Sequence, residues 1–258
     1  MVPNILNIEI AAEVIQAAAK FAAVKNPHRE INFIQVRHRL GHLEIWGTDR
    51  TRVFRYRRPC EPFTEFYLKA EEIQALKLGR NPQPFKFAHE KATNGKESIK
   101  KHYLSELRDA KYGFSFPDCE AVWPTKGYFA AWGFDAAQVQ KIIKALLPMA
   151  GESEIFTFNW QDGRIEVDNK DFDVSMAGRV EIPGTFSEKN PQLLMGGKKL
   201  REVIMATAKG IGNDHLKMMM DESNGHIKGL IFHTHFEGNS EVSYQTMLMP
   251  VLPKEHWQ

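Results

Sequence analysis

Four stretches of this chain open in nearly the same way. "IAAEVIQAAAK" begins at Ile10, "KAEEIQALK" at Lys69, "DAAQVQKIIKALL" at Asp135 and "GGKKLREVIMATAK" at Gly196. Aligned on Val14, Ile73, Val139 and Leu200, each carries Ala or Gly three residues earlier, at Ala11, Ala70, Ala136 and Gly197. The steps from 14 to 73, 73 to 139 and 139 to 200 are 59, 66 and 61 residues. A period near sixty is too long for one element. It suits a supersecondary unit made of one helix and a few strands.

The turns keep the same period. Gly41, Gly95, Gly163 and Gly225 follow the aligned positions at offsets of 27, 22, 24 and 25 residues. Asn-Gly and Asp-Gly between alternating or apolar runs predict hairpins, because a type I′ turn needs positive φ at both central residues. Around Gly163 the alternation is plain, with Phe156, Phe158 and Trp160 before it and Ile165 and Val167 after it. Pro27, Gly79, Pro148, Gly210 and Gly212 stop the helices. Each unit therefore reads as strand, helix and about three antiparallel strands. The second unit departs from this. Its helix is short, and "HEKATNGKESIKKHYLSELRDAKYG", within residues 88–113, reads as an irregular charged insertion.

Bulk composition narrows the classes. At 258 residues the chain holds one large domain or two ordinary ones, and 43% hydrophobic residues can support real cores. A net charge of +2 does not identify a partner, so a nucleic-acid binder would have to gather its basic residues on one surface. Cys60 and Cys119 make no disulfide framework and suit a reducing compartment. No apolar run spans a bilayer, and the start "MVPNILNIEI" lacks the pattern of a signal peptide. The expectation is a soluble, cytoplasmic protein without membrane partners.

The helix faces gather the charge. Val139, Ile142, Ile143, Leu146 and Leu147 form an apolar stripe with Lys141 and Lys144 opposite. Leu200, Val203 and Ile204 form another, with Lys198 and Lys209 opposite and Arg201 nearby. In the first helix Val14, Ala17, Ala18 and Phe21 face inward and Gln16 and Lys20 outward; Lys25 and Arg29 follow in the loop. Glu71 and Glu72 make the second helix the exception, to which Arg80 is the nearest basic candidate. If the repeats stack side by side, Lys20, Lys25, Arg29, Arg80, Lys141, Lys144, Lys198, Arg201 and Lys209 form a stripe suited to phosphates held by charge without base reading.

On these repeats the sequence resembles the DNA sliding clamps, and most closely the bacterial polymerase III β clamp. "YGFSFPDCEAVWP" resembles the segment closing that clamp's first domain, and "FAAWGFDAAQVQKIIKALLPMAGE" the strand and helix opening its second. "LEIWGTD" resembles a strand ending in Thr-Asp, and "YQTMLMPVLP" the C-terminal strand. The resemblance implies an α+β clamp fold with four repeats in two similar domains, helices inside and sheets outside. The domains would be 1–117 and 129–258, with a connector at 118–128. The bacterial clamp has three domains and this chain has room for two. Because the family ring has six domains, the resemblance implies a homotrimer encircling duplex DNA and tethering a polymerase. It also implies a peptide pocket for the polymerase and clamp loader, built from Phe172, Met247, Met249, Pro250, Val251 and Leu252. A compact clamp of this kind suggests a bacterial cell or a phage-infected host.

Enzymatic motifs are not evident. "GGKKLR" lacks the Gly-Lys-Ser/Thr of a phosphate loop, and no nucleophile elbow, dinucleotide fingerprint or paired carboxylates emerge. His233 and His235 share a strand face without a third ligand of convincing spacing, which reads as a surface pair. No catalytic residue, metal or cofactor is expected. Two other functions stay open: a monomeric clamp-like regulator that does not encircle DNA, and an α+β enzyme with an unrecognised site.

Overall fold

All four sequence repeats fold as a strand, then a helix, then antiparallel strands. The structure, a computed structural model, describes residues 5–63, 65–77, 79, 82–91, 97–101, 116–123, 130–135, 141, 143–149, 155–159, 164–168, 177–181, 192–196, 198–203, 215–223, 226–236 and 239–249. The first repeat comprises β1 (Ile5–Ile10), α1 (Ala12–Phe21), β2 (Phe33–Arg39), β3 (His42–Thr48) and β4 (Arg52–Pro59). The second comprises β5 (Phe66–Lys69), α2 (Ala70–Gln74), β6 (Phe85–Lys91) and β7 (Glu97–Lys101). A short helix, α3 (Cys119–Val122), follows. The third repeat has β8 (Ala130–Asp135), helical residues 141 and 143–146, β9 (Ile155–Asn159), β10 (Arg164–Asp168) and β11 (Ala177–Glu181). The fourth has β12 (Gln192–Gly196), helical residues 198–203, β13 (His215–Ser223), β14 (His226–Phe236) and β15 (Asn239–Leu248).

The four expected hairpins form as β2–β3, β6–β7, β9–β10 and β13–β14, all antiparallel. Gly41 sits in the first turn at φ +77, beside Leu40 at φ +48. Gly95, Gly163 and Gly225 lie outside the described residues. The irregular insertion expected in the second repeat is corrected in part. Residues 89–91 and 97–101 belong to paired strands, with Lys91 opposite Glu97 and Glu90 opposite Ser98. A charged strand can pair through its backbone whatever its side chains, so its composition hid it.

The chain divides into two compact units, Met1–Cys119 with His235–Tyr244, and Glu120–Thr234 with Gln245–Gln258. In the first, β1, β6 and β7 neighbour in that order, as do β5, β2, β3 and β4. The opening strands have changed places. β1, from the first repeat, pairs with β6 of the second, setting Ile8 against Phe87 and Ile10 against Phe85. β5, from the second repeat, pairs with β2 of the first, setting Val36 against Phe66. The second unit repeats the exchange: β8 pairs with β13, and β12 with β9.

The core of the first unit follows from alternation. Ile34, Val36, Leu43, Ile45, Phe54 and Leu68 are all buried. Phe66 of β5 and Phe87 of β6 bring their rings to 4.9 Å, joining the two sheets. α1 packs against β3, β4 and α2 together, so it is buried more widely than one amphipathic stripe. Ala12, Val14, Ile15, Ala17, Ala18, Ala19 and Phe21 are all enclosed, leaving Glu13 and Lys20 exposed and Gln16 half-buried. The approach to β3 is close enough to require glycine. A Cβ on Gly47 would stand 2.2 Å from the Ala18 carbonyl oxygen.

The opposite face of the same sheet holds a charged layer. Cross-strand register sets Glu44 against Arg37 on one side and Arg57 on the other, with Arg55 opposite Trp46. Arg37 donates to Glu44 Oε2 through Nε at 3.0 Å and Nη2 at 2.8 Å. Arg55 Nη2 donates to Oε1 at 2.9 Å, and Trp46 Nε1 to Oε2 at 3.2 Å. The Arg37 and Arg55 guanidiniums lie 5.3 and 5.0 Å from the Trp46 ring centre. Burial alone would push the Glu44 carboxyl up. The charge and hydrogen bonds of Arg55 and Arg37 outweigh it and hold the group below its ordinary value.

Candidate nucleic-acid interface

The C-terminal end of α1 presents three of the basic candidates. Lys20 is exposed in the last turn, where a cation also complements the helix dipole. Its carbonyl accepts a hydrogen bond from Arg52 Nη2 at 3.1 Å. Arg52 is 7% exposed and is itself fixed. Asp49 Oδ2 accepts from its Nε at 3.0 Å, and its guanidinium lies 5.2 Å from the Phe21 ring centre. Asp49 Oδ1 also accepts from the Thr51 and Arg52 amides at 2.9 and 2.8 Å. The turn from Thr48 to Arg52 thus caps the C-terminal end of α1 through Arg52 and positions the backbone at Lys20. Sequence reasoning noticed "GTD" but missed that role. The arginine that closes the turn, followed by a strand, is the signal available in the sequence.

The loop after α1 is bracketed by amides. Asn26 N donates to Asn32 Oδ1 at 2.9 Å, and Asn32 Nδ2 returns a bond to the Asn26 carbonyl at 2.8 Å. Ala23 N donates to the Ile31 carbonyl at 2.8 Å. Within this frame Lys25 and Arg29 are exposed. Lys25 adopts φ +56, and its Nζ lies 3.2 Å from Glu71 Oε1 at the start of α2. Both partners are well exposed, so the pair contributes little to stability. It does place a carboxylate beside one of the expected phosphate contacts.

In the second unit Ile143 and Leu146 are buried, and Lys141 and Lys144 are exposed. Leu200 and Val203 are buried, Lys198 is exposed and Arg201 half-buried, its Nε enclosed without a hydrogen-bond partner. Both helical stretches therefore put lysine opposite their apolar stripe. Arg80 and Lys209 lie outside the described residues.

Of the expected peptide pocket, Met247 is 1% exposed, between the buried Thr246 and Leu248. Met249, just past β15, is half-buried. Phe172, Pro250, Val251 and Leu252 lie outside the described residues. Among the described side chains, no group of three His, Cys, Asp or Glu is placed to hold a metal. Among the described residues, no helix is long and apolar enough to cross a membrane.

Four strand–helix–strand repeats paired by exchanged opening strands make this a DNA sliding-clamp fold. Solved structures that it matches include bacterial polymerase III β clamps. A DNA polymerase sliding clamp from Pseudomonas aeruginosa superposes with a TM-score of 0.71 at 17% identity, over 96% of this chain and 67% of that one. DNA polymerase III subunit beta from Borrelia burgdorferi, solved with a natural product, gives 0.72 at 11% identity, over 96% and 63%. The beta subunit from Thermotoga maritima gives 0.66 at 14% identity, over 96% and 66%. The chain thus spans about two thirds of the length of these clamps. No known family profile matches the sequence, and no curated protein matches it.

Proposed function

We propose that the chain is a DNA polymerase processivity factor, a clamp that encircles duplex DNA and tethers a polymerase. The observation that supports this most is the likeness of 96% of the chain to bacterial clamps. The exposed lysines opposite the apolar stripes, Lys20, Lys141, Lys144 and Lys198, agree with it. So do Lys25 and Arg29 on the bracketed loop. Their contacts would go to phosphates, which carry no sequence information and leave the clamp free to slide.

Two clamp domains in one chain, 1–117 and 129–258 joined by 118–128, make one third of a six-domain ring, so the assembly in this reading is a homotrimer. Met249, Pro250, Val251 and Leu252, with Phe172, form its pocket for short peptides of the polymerase and clamp loader. Met247, the remaining member of the expected pocket, is buried in β15. Methionine suits a site that accepts several sequences, since its side chain is flexible and polarizable. The setting is the cytoplasm of a bacterial or phage-infected cell, and the role is not catalytic.

Retention on DNA provides the test. Contacts to short linear DNA are weak, indifferent to sequence and steeply salt-dependent. Replacing Lys141, Lys144 and Lys209 together with Ala makes the salt slope shallower by roughly one unit per lost contact. A ring loaded on circular DNA persists at salt that removes it from linear DNA. Loss from both templates at the same salt and rate would refute encirclement, and native mass spectrometry showing only monomer would refute the trimer.

A further inference from the structure

The turn that caps α1 carries a further exposed cation. Arg50 sits between Asp49 and Thr51 at φ +73, its amide donating to Thr48 Oγ1 at 3.0 Å. The same turn reaches two places at once. Through Arg52 it meets the Lys20 carbonyl at the end of α1. Through Arg50, whose Nη2 donates to Glu30 Oε1 at 2.9 Å, it meets the loop that follows α1. His28 Nδ1 stands 3.8 Å from that oxygen. Lys20, Lys25, Arg29 and Arg50 are thus gathered around one end of α1, all exposed. Two of these cations face carboxylates, Arg50 facing Glu30 and Lys25 facing Glu71 at 3.2 Å. Asp49, the carboxylate of the turn itself, is engaged by Arg52 and by the Thr51 and Arg52 amides.

We propose that Arg50 is a further phosphate contact at this end of α1, and that Glu30 and Glu71 compete with phosphates for Arg50 and Lys25, keeping the grip on duplex DNA loose. The inference rests on the encircling reading, since bound DNA is what brings phosphates to these cations. A cation held by a carboxylate has less of its charge to give a phosphate, so each contact comes at the expense of an ion pair. The side chains of Arg50, Lys25 and Glu71 are 51%, 77% and 57% exposed, which leaves them room to exchange partners. Exposed pairs of this kind shift an equilibrium by up to about fivefold. That is enough to weaken a phosphate contact and too little to forbid it. For a ring retained by topology, contact strength acts as friction, and built-in competitors lower it.

The experiment is anisotropy of a labelled short linear duplex titrated with the full chain over a range of salt. Glu30→Gln and Glu71→Gln are each expected to tighten binding about two- to fivefold and to steepen the salt slope by up to about one unit. Adding Arg50→Gln should erase the gain of Glu30→Gln, and adding Lys25→Gln the gain of Glu71→Gln. Glu13→Gln, in the exposed first turn of α1, is the control for loss of a negative charge and should gain less. Circular dichroism checks that every variant is folded. Absence of a gain in Glu30→Gln or in Glu71→Gln overturns the inference. So does a gain that survives removal of the paired cation, or an equal gain in Glu13→Gln. If the triple replacement of Lys141, Lys144 and Lys209 weakens binding while the carboxylate variants change nothing, this inference falls and the proposed function stands. If neither set changes binding, both fall.

Discussion

Replacing Gly47 with Ala tests the packing that places α1. The added methyl carbon would sit 2.2 Å from the Ala18 carbonyl oxygen, 3.0 Å from its carbonyl carbon and 3.3 Å from its Cα. Ordinary contact begins near 3.4 Å, so the shortfall at the oxygen is 3.4 − 2.2 = 1.2 Å. All three obstructing atoms are backbone, so no rotamer change relieves them. The helix must retreat from β3 by about an ångström while still held by β4 and α2. Overpacking of this kind costs about 3 kcal/mol, the upper end of the usual range. For a chain of this size that lowers the thermal midpoint by about 6–12 °C. Gly41→Ala is the control. Nothing lies within 4 Å of the Cβ that alanine adds there, and the remaining difficulty is φ +77, a cost of about 1 kcal/mol. Chemical denaturation of both variants measures the difference. If Gly47→Ala falls within about 0.5 kcal/mol of the unaltered protein, α1 does not rest on β3 at Ala18, and the placement of Lys20 loses its basis.

Glu44→Gln removes a negative charge shared by Arg37 and Arg55 and is expected to cost about 3 kcal/mol by urea unfolding. Because the folded Glu44 carboxyl titrates below its ordinary value, its contribution is present above the unfolded pKa of about 4.3 and is lost as pH falls through the folded one. The variant should therefore lose stability less steeply than the unaltered protein across that acid range, and parallel curves would contradict the assignment. Arg52→Met cuts the bonds to Asp49 and the Lys20 carbonyl and should cost about 2–3 kcal/mol, with faster amide exchange at the end of α1. Met249→Ala with Leu252→Ala should weaken a clamp-binding peptide by about tenfold or more while leaving the native mass unchanged; unchanged affinity would place the pocket elsewhere.

Much of this fold was legible because the helices repeat a period. Val14, Ile73, Val139 and Leu200 mark equivalent turns in sequence, and Val14, Ile73 and Leu200 are buried. The exchange of opening strands was not legible. Ile8 and Ile10 show the same alternation whether β1 pairs within its own repeat or with Phe85 and Phe87 of the next. Local pattern sets which face is apolar, while partner choice is a long-range matter. The charged layer hid for the same reason. Alternation assigns Glu44 to a polar face, and only the register shows two arginines converging on it. Of the candidate interface, lysines opposite apolar stripes could be read from helical spacing. The cap by Arg52 and the Glu71 partner of Lys25 could not, since they depend on how loops meet helix ends.

The traded opening strands also govern the order in which a nascent chain can become stable. β1 leaves the ribosome before the rest of its unit, yet its partner begins at Phe85, some 75 residues after β1 ends at Ile10. β8 waits as long again, from Asp135 to His215. Until those partners arrive, each opening strand has an apolar face and an unfilled ladder, the kind of segment that invites misplaced pairing. Loop closure over such distances is slow compared with forming a helix or a hairpin. A ribosome-bound fragment ending near residue 65 should therefore remain protease-sensitive, and protection should arrive in one step once β5 and β6 have both emerged. The half-domain that the repeat offers as a module is then never a folding unit by itself, and resistance to unfolding within each pair of repeats is gained or lost as a whole.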